Sequence, residues 1–305
     1  DVATISFFGS AIPLLLGFIV MKFLGCDNIT AFIVGVCLSV TAEGTTAILL
    51  MELNKLNTKV GEIMTGAGAI DDVIGMVLLT VILVVVRKGG GNQLYLLPLE
   101  FMAFIILAYL VLKILPAVLR YIRREKSEVS EFSIVLIVGL LIAVISETLG
   151  LGTLVGALVA GLIIQLSIKS RREEHKMVSD LKVVSISLIV PFFFISIGMK
   201  FNVSSLSGNM DFYGLLVILT LAAVLGKFLG SLFAGPLTRL NPRQIHLLGW
   251  AMNSRGGVEL VIASVAYNQL PPEIFSAIVA MSLITALFFP MVFQYEIRKN
   301  PDIMD

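Results

Sequence analysis

The sequence predicts an all-α membrane protein that contains an inverted repeat and two broken transmembrane helices that cross. Three observations lead to this prediction. Of the 305 residues, 57% are hydrophobic and 14% are charged, and the mean hydropathy is +0.99. Apolar runs of membrane-spanning length follow one another with short loops between them, and polar residues interrupt two of these runs near their centres. A soluble domain has neither this composition nor such runs.

The apolar runs predict ten membrane spans. The hydrocarbon core of a bilayer is about 30 Å thick and a helix rises about 1.5 Å per residue, so one span needs about 20 apolar residues. Runs of this kind cover residues 3–24, 29–50, 60–86, 94–119, 130–148, 150–168, 181–199, 212–235, 245–267 and 272–294.

The basic residues predict how the spans are oriented. When the loops are assigned to alternate sides, most Lys and Arg residues fall on one side, and the other side holds Lys22, Arg87, Lys88 and Lys200. The positive-inside rule makes the richer side cytoplasmic. We therefore expect an integral protein of the plasma or inner membrane, with its C-terminus in the cytoplasm.

Two spans are predicted to be broken. Polar, small and charged residues interrupt the second span at 41–46 and the ninth span at 253–257. Non-helical backbone at membrane depth is tolerated only where protein or water covers it, and paired broken helices are typical of the binding site of a secondary transporter. The alternative interpretation is two continuous helices whose Gly and Thr residues form packing faces.

The order of the spans predicts the inverted repeat. Spans one to three are plain, broken and carboxylate-bearing, whereas spans eight to ten are lysine-bearing, broken and plain. Seven spans separate each member from its counterpart, and this odd number gives the two triplets opposite topology. We predict three parts: 1–86 as the remainder of the first repeat, 87–211 as central and linking spans, and 212–305 as the second repeat with a cytoplasmic tail.

Two adjacent carboxylates lie near the middle of the third span, Asp71 and Asp72. Each costs about 2.5–3.5 kcal/mol at the midplane, so an ion or proton pathway explains them better than stability does. A desolvated alkali cation binds hard oxygen atoms. Asp72, Asp71, the Thr41 hydroxyl and the carbonyls around Ala42 and Glu43 would supply them. Burial and a like-charged neighbour favour a protonated carboxyl, so the same oxygens can bind a proton.

Several motifs, taken in order, resemble those of one family. They are Gly68–Gly75 with its Asp-Asp pair, Thr41 thirty residues before Asp71, the central hairpin Glu147–Gly161, the glycine-lysine segment Gly226–Gly230, and Ser254–Glu259 in the second break. The chain thereby resembles the monovalent cation/proton antiporters, in particular the sodium/proton branch with adjacent aspartates. It departs from them at Gly257, where the family usually has an acid, and Glu259 lies two positions later.

The resemblance implies a function and roles for residues. It implies exchange of Na⁺ or Li⁺ for H⁺ by alternating access, with Asp72 as principal cation ligand and Lys227 paired with Asp71. If Lys227 also titrates, the cycle carries two protons per sodium ion and is electrogenic; otherwise Lys227 is a counter-ion only. Relatives have additional N-terminal spans, which we expect this chain to lack, and the resemblance implies a homodimer.

Other roles stay open at this stage. Arg255 and Glu259 are four residues apart and are read as a structural pair that, with Ser254, supports the second break. Glu43 is a third ligand, a cavity-lining acid, or the partner of Arg255.

Two other functions remain as alternatives. One is a K⁺/H⁺ antiporter or potassium efflux protein of the same fold, and the other is a non-transporting membrane receptor or scaffold. An enzyme is not expected, because the sequence has no nucleophile–base pair, metal cluster or phosphate-binding glycine loop. The expected partners are the transported ions and the lipid bilayer, with no cofactor and no nucleic acid.

Overall fold

The computed structural model describes residues 1–88, 97–122, 128–168, 171–203 and 210–304, and for some of these, Glu43 among them, the backbone alone. Helices account for the regular structure throughout these ranges. They are α1 (Val2–Phe23), α2 (Asn28–Ser39), α3 (Glu43–Glu52), α4 (Lys59–Lys88), α5 (Leu97–Ile122), α6 (Glu128–Thr148), α7 (Thr153–Ser167), α8 (Arg171–Val184), α9 (Val190–Lys200), α10 (Met210–Ala234), α11 (Pro242–Ala251), α12 (Val258–Val265) and α13 (Pro272–Lys299). A π-helical segment, Ser185–Ile189, joins α8 to α9.

The prediction of an all-α membrane protein is confirmed. Six segments in the described part of the chain are long and apolar enough to cross a membrane: Val2–Phe23, Asn28–Glu52, Lys59–Ile82, Met177–Lys200, Asp211–Leu237 and Pro272–Lys299. Three further predicted spans correspond to shorter apolar helices, Met102–Val118, Phe132–Thr148 and Val155–Ser167. The ninth predicted span contains α11 and α12.

The chain forms two compact units. The first comprises Asp1–Ile82 and Ile197–Asp305, and the second comprises Leu83–Ser196. In the second unit, α6 packs closely on α7. The distance is so short that a Cβ added to Gly156 of α7 would lie 2.6 Å from Ala143 Cα of α6. The predicted division into 1–86, 87–211 and 212–305, and the inverted repeat itself, stay predictions.

In the first unit, α1 packs between α2 and α10 at very short distances. A Cβ on Gly35 of α2 would lie 2.6 Å from Leu14 O, and a Cβ on Gly226 of α10 would lie 2.7 Å from Pro13 Cα. Small residues allow membrane helices to approach this closely. The contacts fix α1 and α10 beside each other, and Lys227 follows directly after Gly226.

Both predicted breaks are present, which excludes the alternative of two continuous helices. α2 ends at Ser39, Val40 is extended, and α3 begins at Glu43. α11 ends at Ala251 and α12 begins at Val258. Within the second break Gly256 has a φ of 137°, a backbone conformation that residues with a side chain rarely adopt.

The first break is shorter than predicted. Residues 43–46 were expected to be unwound but belong to α3. The reason is that other elements supply partners for the exposed backbone groups: the N–H of Ala42 donates to Ser254 O at 2.8 Å. Lys227 and Arg255 bind carbonyls at the end of α2. With these groups satisfied, a new helix can start at once.

Candidate ion-binding site

Asp71 is the centre of a buried polar cluster. Its side chain belongs to α4 and is only 1% exposed. Thr41 Oγ1 donates to Asp71 Oδ2 at 2.6 Å and Lys227 Nζ donates to the same oxygen at 2.9 Å, while Ser10 Oγ donates to Oδ1. Four elements therefore meet at one carboxylate: α1, the first break, α4 and α10.

Lys227 has two acceptors and is completely buried. Its Nζ donates to Asp71 Oδ2 and to the carbonyl oxygen of Ser39, the last residue of α2. A lysine at membrane depth is costly unless it is paired. The carbonyl adds to the pairing, because the C-terminal end of a helix carries a partial negative charge.

Asp72 differs from its neighbour in having a free oxygen. The side chain is partly buried, and its Oδ1 is inaccessible to solvent and has no hydrogen-bond partner among the described side chains and backbone. A buried carboxylate oxygen without a donor is costly. An ion or a proton that binds there would remove this cost.

A narrow cavity lies beside the cluster. Its volume is about 20 Å³, which is enough for one water molecule or a small ion. It opens onto Thr41, which binds Asp71, and onto Gly68, one helical turn before Asp72. The lining residues are Thr41, Thr46, Ala47, Met64, Thr65, Gly68, Ala251 and Met252.

Arg255 makes its direct hydrogen bonds to the end of α2, and among the described residues it has no hydrogen bond to Glu259; their pairing through charge stays a prediction. Its side chain is fully buried, and it donates to the carbonyls of Cys37 (2.9 Å), Leu38 (2.5 Å) and Val40 (3.2 Å). The cation thus lies at the negative end of a helix. The expected i,i+4 geometry is absent because α12 begins only at Val258.

Glu259 occupies the opposite kind of helix end. Its carboxylate accepts hydrogen bonds from Gly256 N and, at 3.3 Å, from Gly257 N, at the start of α12. An anion is favoured at this positive end. In the shared break Ser254 O accepts from Ala42 N, whereas Ser254 Oγ is a buried atom with no partner in the described part of the chain.

The structure brings together most, but not all, of the predicted site. Asp71, Thr41 and Lys227 are in direct contact, and Asp72 and Ala42 are adjacent in the chain to members of this group. Glu43 is the first residue of α3, but its side chain lies outside the described atoms, so its three predicted roles stay open.

Sequence reasoning missed Ser10 and the carbonyl of Ser39. A single serine in an apolar span gives little signal, because such hydroxyls commonly bond to their own helix. The one available clue was the position of Ser10 near the centre of α1.

Comparisons with known proteins identify the family. Residues 2–294 match the family described as "Sodium/hydrogen exchanger, transmembrane". A Na⁺/H⁺ antiporter of Enterococcus hirae is 24% identical over 302 residues, covering 97% of this chain and 76% of that protein. The Na⁺/H⁺-K⁺ antiporter GerN of Bacillus cereus is 26% identical, covering 94% and 73%. The high-affinity Na⁺/H⁺ antiporter NhaS3 of Synechocystis is 28% identical, covering 94% and 63%. Because the family match extends over nearly the whole sequence, this integral membrane protein belongs to the sodium/hydrogen exchanger family.

Proposed function

We propose that the chain is a cation/proton antiporter that exchanges Na⁺ or Li⁺ for H⁺ by alternating access. One observation carries the proposal: Asp71 has a donor on each oxygen, whereas the adjacent Asp72 has a buried oxygen with no partner. One carboxylate is thus held in place and the other is available to an ion. The names of the relatives, all antiporters of cations and protons, support the same function.

The site would bind one cation at a time. Asp72 provides the free carboxylate oxygen, Thr41 provides a hydroxyl, and the backbone around Ala42 and Glu43 lies beside them. Hard oxygen ligands of this kind suit an alkali cation. A proton on Asp72 removes the charge that attracts the cation, so the two ions compete. Competition at a site that opens alternately to each side is sufficient for exchange.

Electrogenic exchange is the finer part of the proposal. A cation at Asp72 would weaken the Asp71–Lys227 pair by repelling the ammonium group, and Lys227 could then release a second proton. The burial of Lys227 beside Asp71 supports this, because the ammonium group depends on that carboxylate as its paired charge.

Potassium remains a second candidate cargo. The relative GerN is named a Na⁺/H⁺-K⁺ antiporter, so selectivity among alkali cations has to be measured for this chain. The excess of basic residues on one side supports a cytoplasmic C-terminus in a plasma or inner membrane, and the family resemblance supports a homodimer.

The test is proton flux in proteoliposomes. Purified protein is reconstituted, and an internal pH dye reports proton movement when Na⁺, Li⁺ or K⁺ is added in separate runs, each with and without a clamped membrane potential. We expect flux with Na⁺ and Li⁺ that responds to the potential. Flux with K⁺ alone would favour the potassium alternative, and no flux with any cation would favour the non-transporting receptor.

A further inference from the structure

We propose that Thr46 and Ser254 form a narrow, oxygen-lined gate through which the cation reaches the candidate site. The inference rests on the proposed antiport function and adds a passage that leads to its site. Two small cavities in the first unit carry it, because Thr46 of α3 and Ala251 of α11 line both of them.

The two cavities meet at the contact between Thr46 and Ala251. The first cavity, of about 20 Å³, also reaches Thr41 of the cluster around Asp71, and the second cavity has a volume of about 10 Å³. Thr46 Oγ1 lies 3.4 Å from Ala251 O, which is longer than usual for a hydroxyl donor. The pair is therefore a loose partition that a rotation of the Thr46 side chain could open.

A buried hydroxyl in the second cavity lacks a partner. Ser254 is 3% exposed and lines this cavity, and its Oγ has no hydrogen-bond partner in the described part of the chain. Such a hydroxyl costs free energy. The cavity is just large enough for one water molecule or a small ion, which would bind this oxygen. Mainly apolar side chains form much of the remaining wall: Leu49, Trp250, Phe289, Pro290 and Phe293.

The partition between the cavities favours a cation. Ala251 is the last residue of α11, so its carbonyl lies at the helix end that carries a partial negative charge. Its described donors, Ser254 N and Thr46 Oγ1, are both 3.4 Å away. This carbonyl and the hydroxyls of Thr46 and Ser254 are hard oxygen atoms, which suit an alkali cation.

The gate lies on one side of the candidate site. α3 runs from the first break to Glu52, and the next loop carries Lys55, one of the basic residues on the side proposed to be cytoplasmic. Thr45 lines the second cavity and is exposed, whereas Thr46 is partly buried. Hydroxyl groups thus lead from the exposed rim of the second cavity, past the gate, to the first cavity.

A gate and a ligand have different effects on transport. A gate sets the barrier that the ion crosses and leaves the equilibrium affinity of the site unchanged, whereas the loss of a ligand weakens that affinity. Thr46→Val keeps the size of the side chain and removes its oxygen. We expect the maximal exchange rate to fall about tenfold, the factor that the loss of one polar contact to a charged group produces, with an unchanged Kd for the cation.

The experiment combines flux with equilibrium binding for the full chain. Proton flux in proteoliposomes gives the maximal rate with the cation that drives the wild type, and titration calorimetry in detergent gives the Kd of that same cation. Ser254→Ala should also slow exchange without changing the Kd. It should not lower the melting temperature, because Ser254 Oγ has no described partner to lose.

Two further variants test the size of the gate. Thr46→Ser keeps an oxygen without adding volume and should keep the wild-type rate. Thr46→Leu fills the partition and should slow exchange more than Thr46→Val does, again with an unchanged Kd. If Thr46→Leu does not fold, Thr46→Val decides the test, because it is the variant that preserves the size of the side chain.

Thr80→Val is the matched control. Thr80 of α4 is partly buried like Thr46, lines neither cavity, and donates from Oγ1 to Met76 O at 2.9 Å within its own helix. The substitution removes the same hydroxyl from a similar environment. It should retain the wild-type rate and the wild-type Kd.

The possible outcomes separate the two proposals. A wild-type rate in Thr46→Val would overturn the gate and leave the proposed function intact. A Kd that weakens in proportion to the rate would also overturn it, because Thr46 would then be a ligand, and so would an equal loss of rate in Thr80→Val. A wild-type rate in Ser254→Ala would remove Ser254 from the gate. If the wild type neither binds nor exchanges an alkali cation, the proposed function fails, and the passage fails with it.

Discussion

Asp71 and Asp72 are neighbours in α4, but their surroundings give them different chemistry. Asp71 is almost completely buried and accepts hydrogen bonds from Ser10, Thr41 and Lys227. Asp72 is partly buried and keeps one oxygen without a partner in the described structure. Adjacent residues in a helix point about 100° apart, so one carboxylate can face the core of the unit while the next faces the cavity side.

The first prediction concerns Asp72. Asp72→Asn keeps the shape of the side chain but removes its charge and its protonation site, so we expect cation-driven proton flux to fall to background. The folded protein should persist, with an unchanged or higher melting temperature, because no described hydrogen bond to Asp72 Oδ1 is lost and the repulsion between two carboxylates is relieved. Flux in proteoliposomes and thermal melting in detergent measure the two effects.

A carboxylate outside the site provides the control for Asp72→Asn. Glu273 lies exposed in the first turn of α13, and Glu273→Gln removes one negative charge without touching the cluster. It should retain wild-type flux. Sodium-dependent proton flux that survives in Asp72→Asn would show that the cation binds elsewhere.

At the scale of elements, the ends of the broken helices explain why the cluster can be so polar. The carbonyls at the end of α2 accept from Arg255 and Lys227, and the start of α12 donates to Glu259. Arg255, Lys227 and Glu259 are thus each placed at a helix end of opposite sign, whereas Asp71 lies within α4 and is paired with Lys227. A guanidinium that binds three carbonyls also connects the two breaks, together with the bond from Ala42 N to Ser254 O.

The helix breaks show what sequence can and cannot predict. Polar residues at membrane depth located both breaks, because unsatisfied backbone is expensive there. The predicted length of the first break was wrong. The true length depends on hydrogen bonds from Arg255 and Lys227 to the end of α2, and these residues lie more than a hundred positions further along the chain. Sequence spacing also suggested that Arg255 and Glu259 lie one turn apart on a single helix, but the i,i+4 rule assumes a continuous helix, and α12 begins only at Val258.

The second prediction concerns the contact between α1 and α10. Gly226→Ala places a methyl group 2.7 Å from Pro13 Cα. Because Pro13 Cα belongs to the backbone of α1 and cannot move aside by itself, α10 must shift. We expect the protein to lose about 1–3 kcal/mol of stability. Exchange should also fall, because Lys227 moves with α10 away from Asp71. Thermal melting and proton flux test both effects.

The same helix offers a matched control. Gly214 also lies in α10, but a Cβ there would meet no atom within 4 Å. Gly214→Ala should therefore keep full exchange and be neutral or slightly stabilising, since Ala is the better helix former. Equal behaviour of the two variants would contradict the argument that close packing at Gly226 positions Lys227.

At the scale of the whole molecule, the site lies entirely in the unit formed by Asp1–Ile82 and Ile197–Asp305. Residues far apart in sequence supply it: Ser10, Thr41, Asp71 and Lys227. Composition was enough to predict an all-α membrane protein, and motif order was enough to place three of these four residues at the site. Ser10 could not be placed, because nothing in a local pattern shows which helix face α1 turns toward α4.

The last prediction separates the two roles of Lys227 within the transport cycle. If Lys227 carries a proton, Lys227→Gln should lose the dependence of exchange on membrane potential and keep some electroneutral transport through Asp72, because one of two protons per cycle is gone. If Lys227 is only a counter-ion, the surviving activity should keep its dependence on the potential. Flux at a series of clamped potentials makes this measurement.

Stability alone cannot make this distinction. Removing Lys227 leaves Asp71 buried without its ion pair in either role, at a cost of about 3–5 kcal/mol, so both roles predict a loss of stability. Lys200→Gln is the control, because Lys200 donates to Ser264 at 3.1 Å, and the loss of its charge should leave the dependence on potential unchanged. Undiminished electrogenic exchange in Lys227→Gln would defeat the proton-carrier role and leave Lys227 as the residue that holds Asp71 beside Asp72.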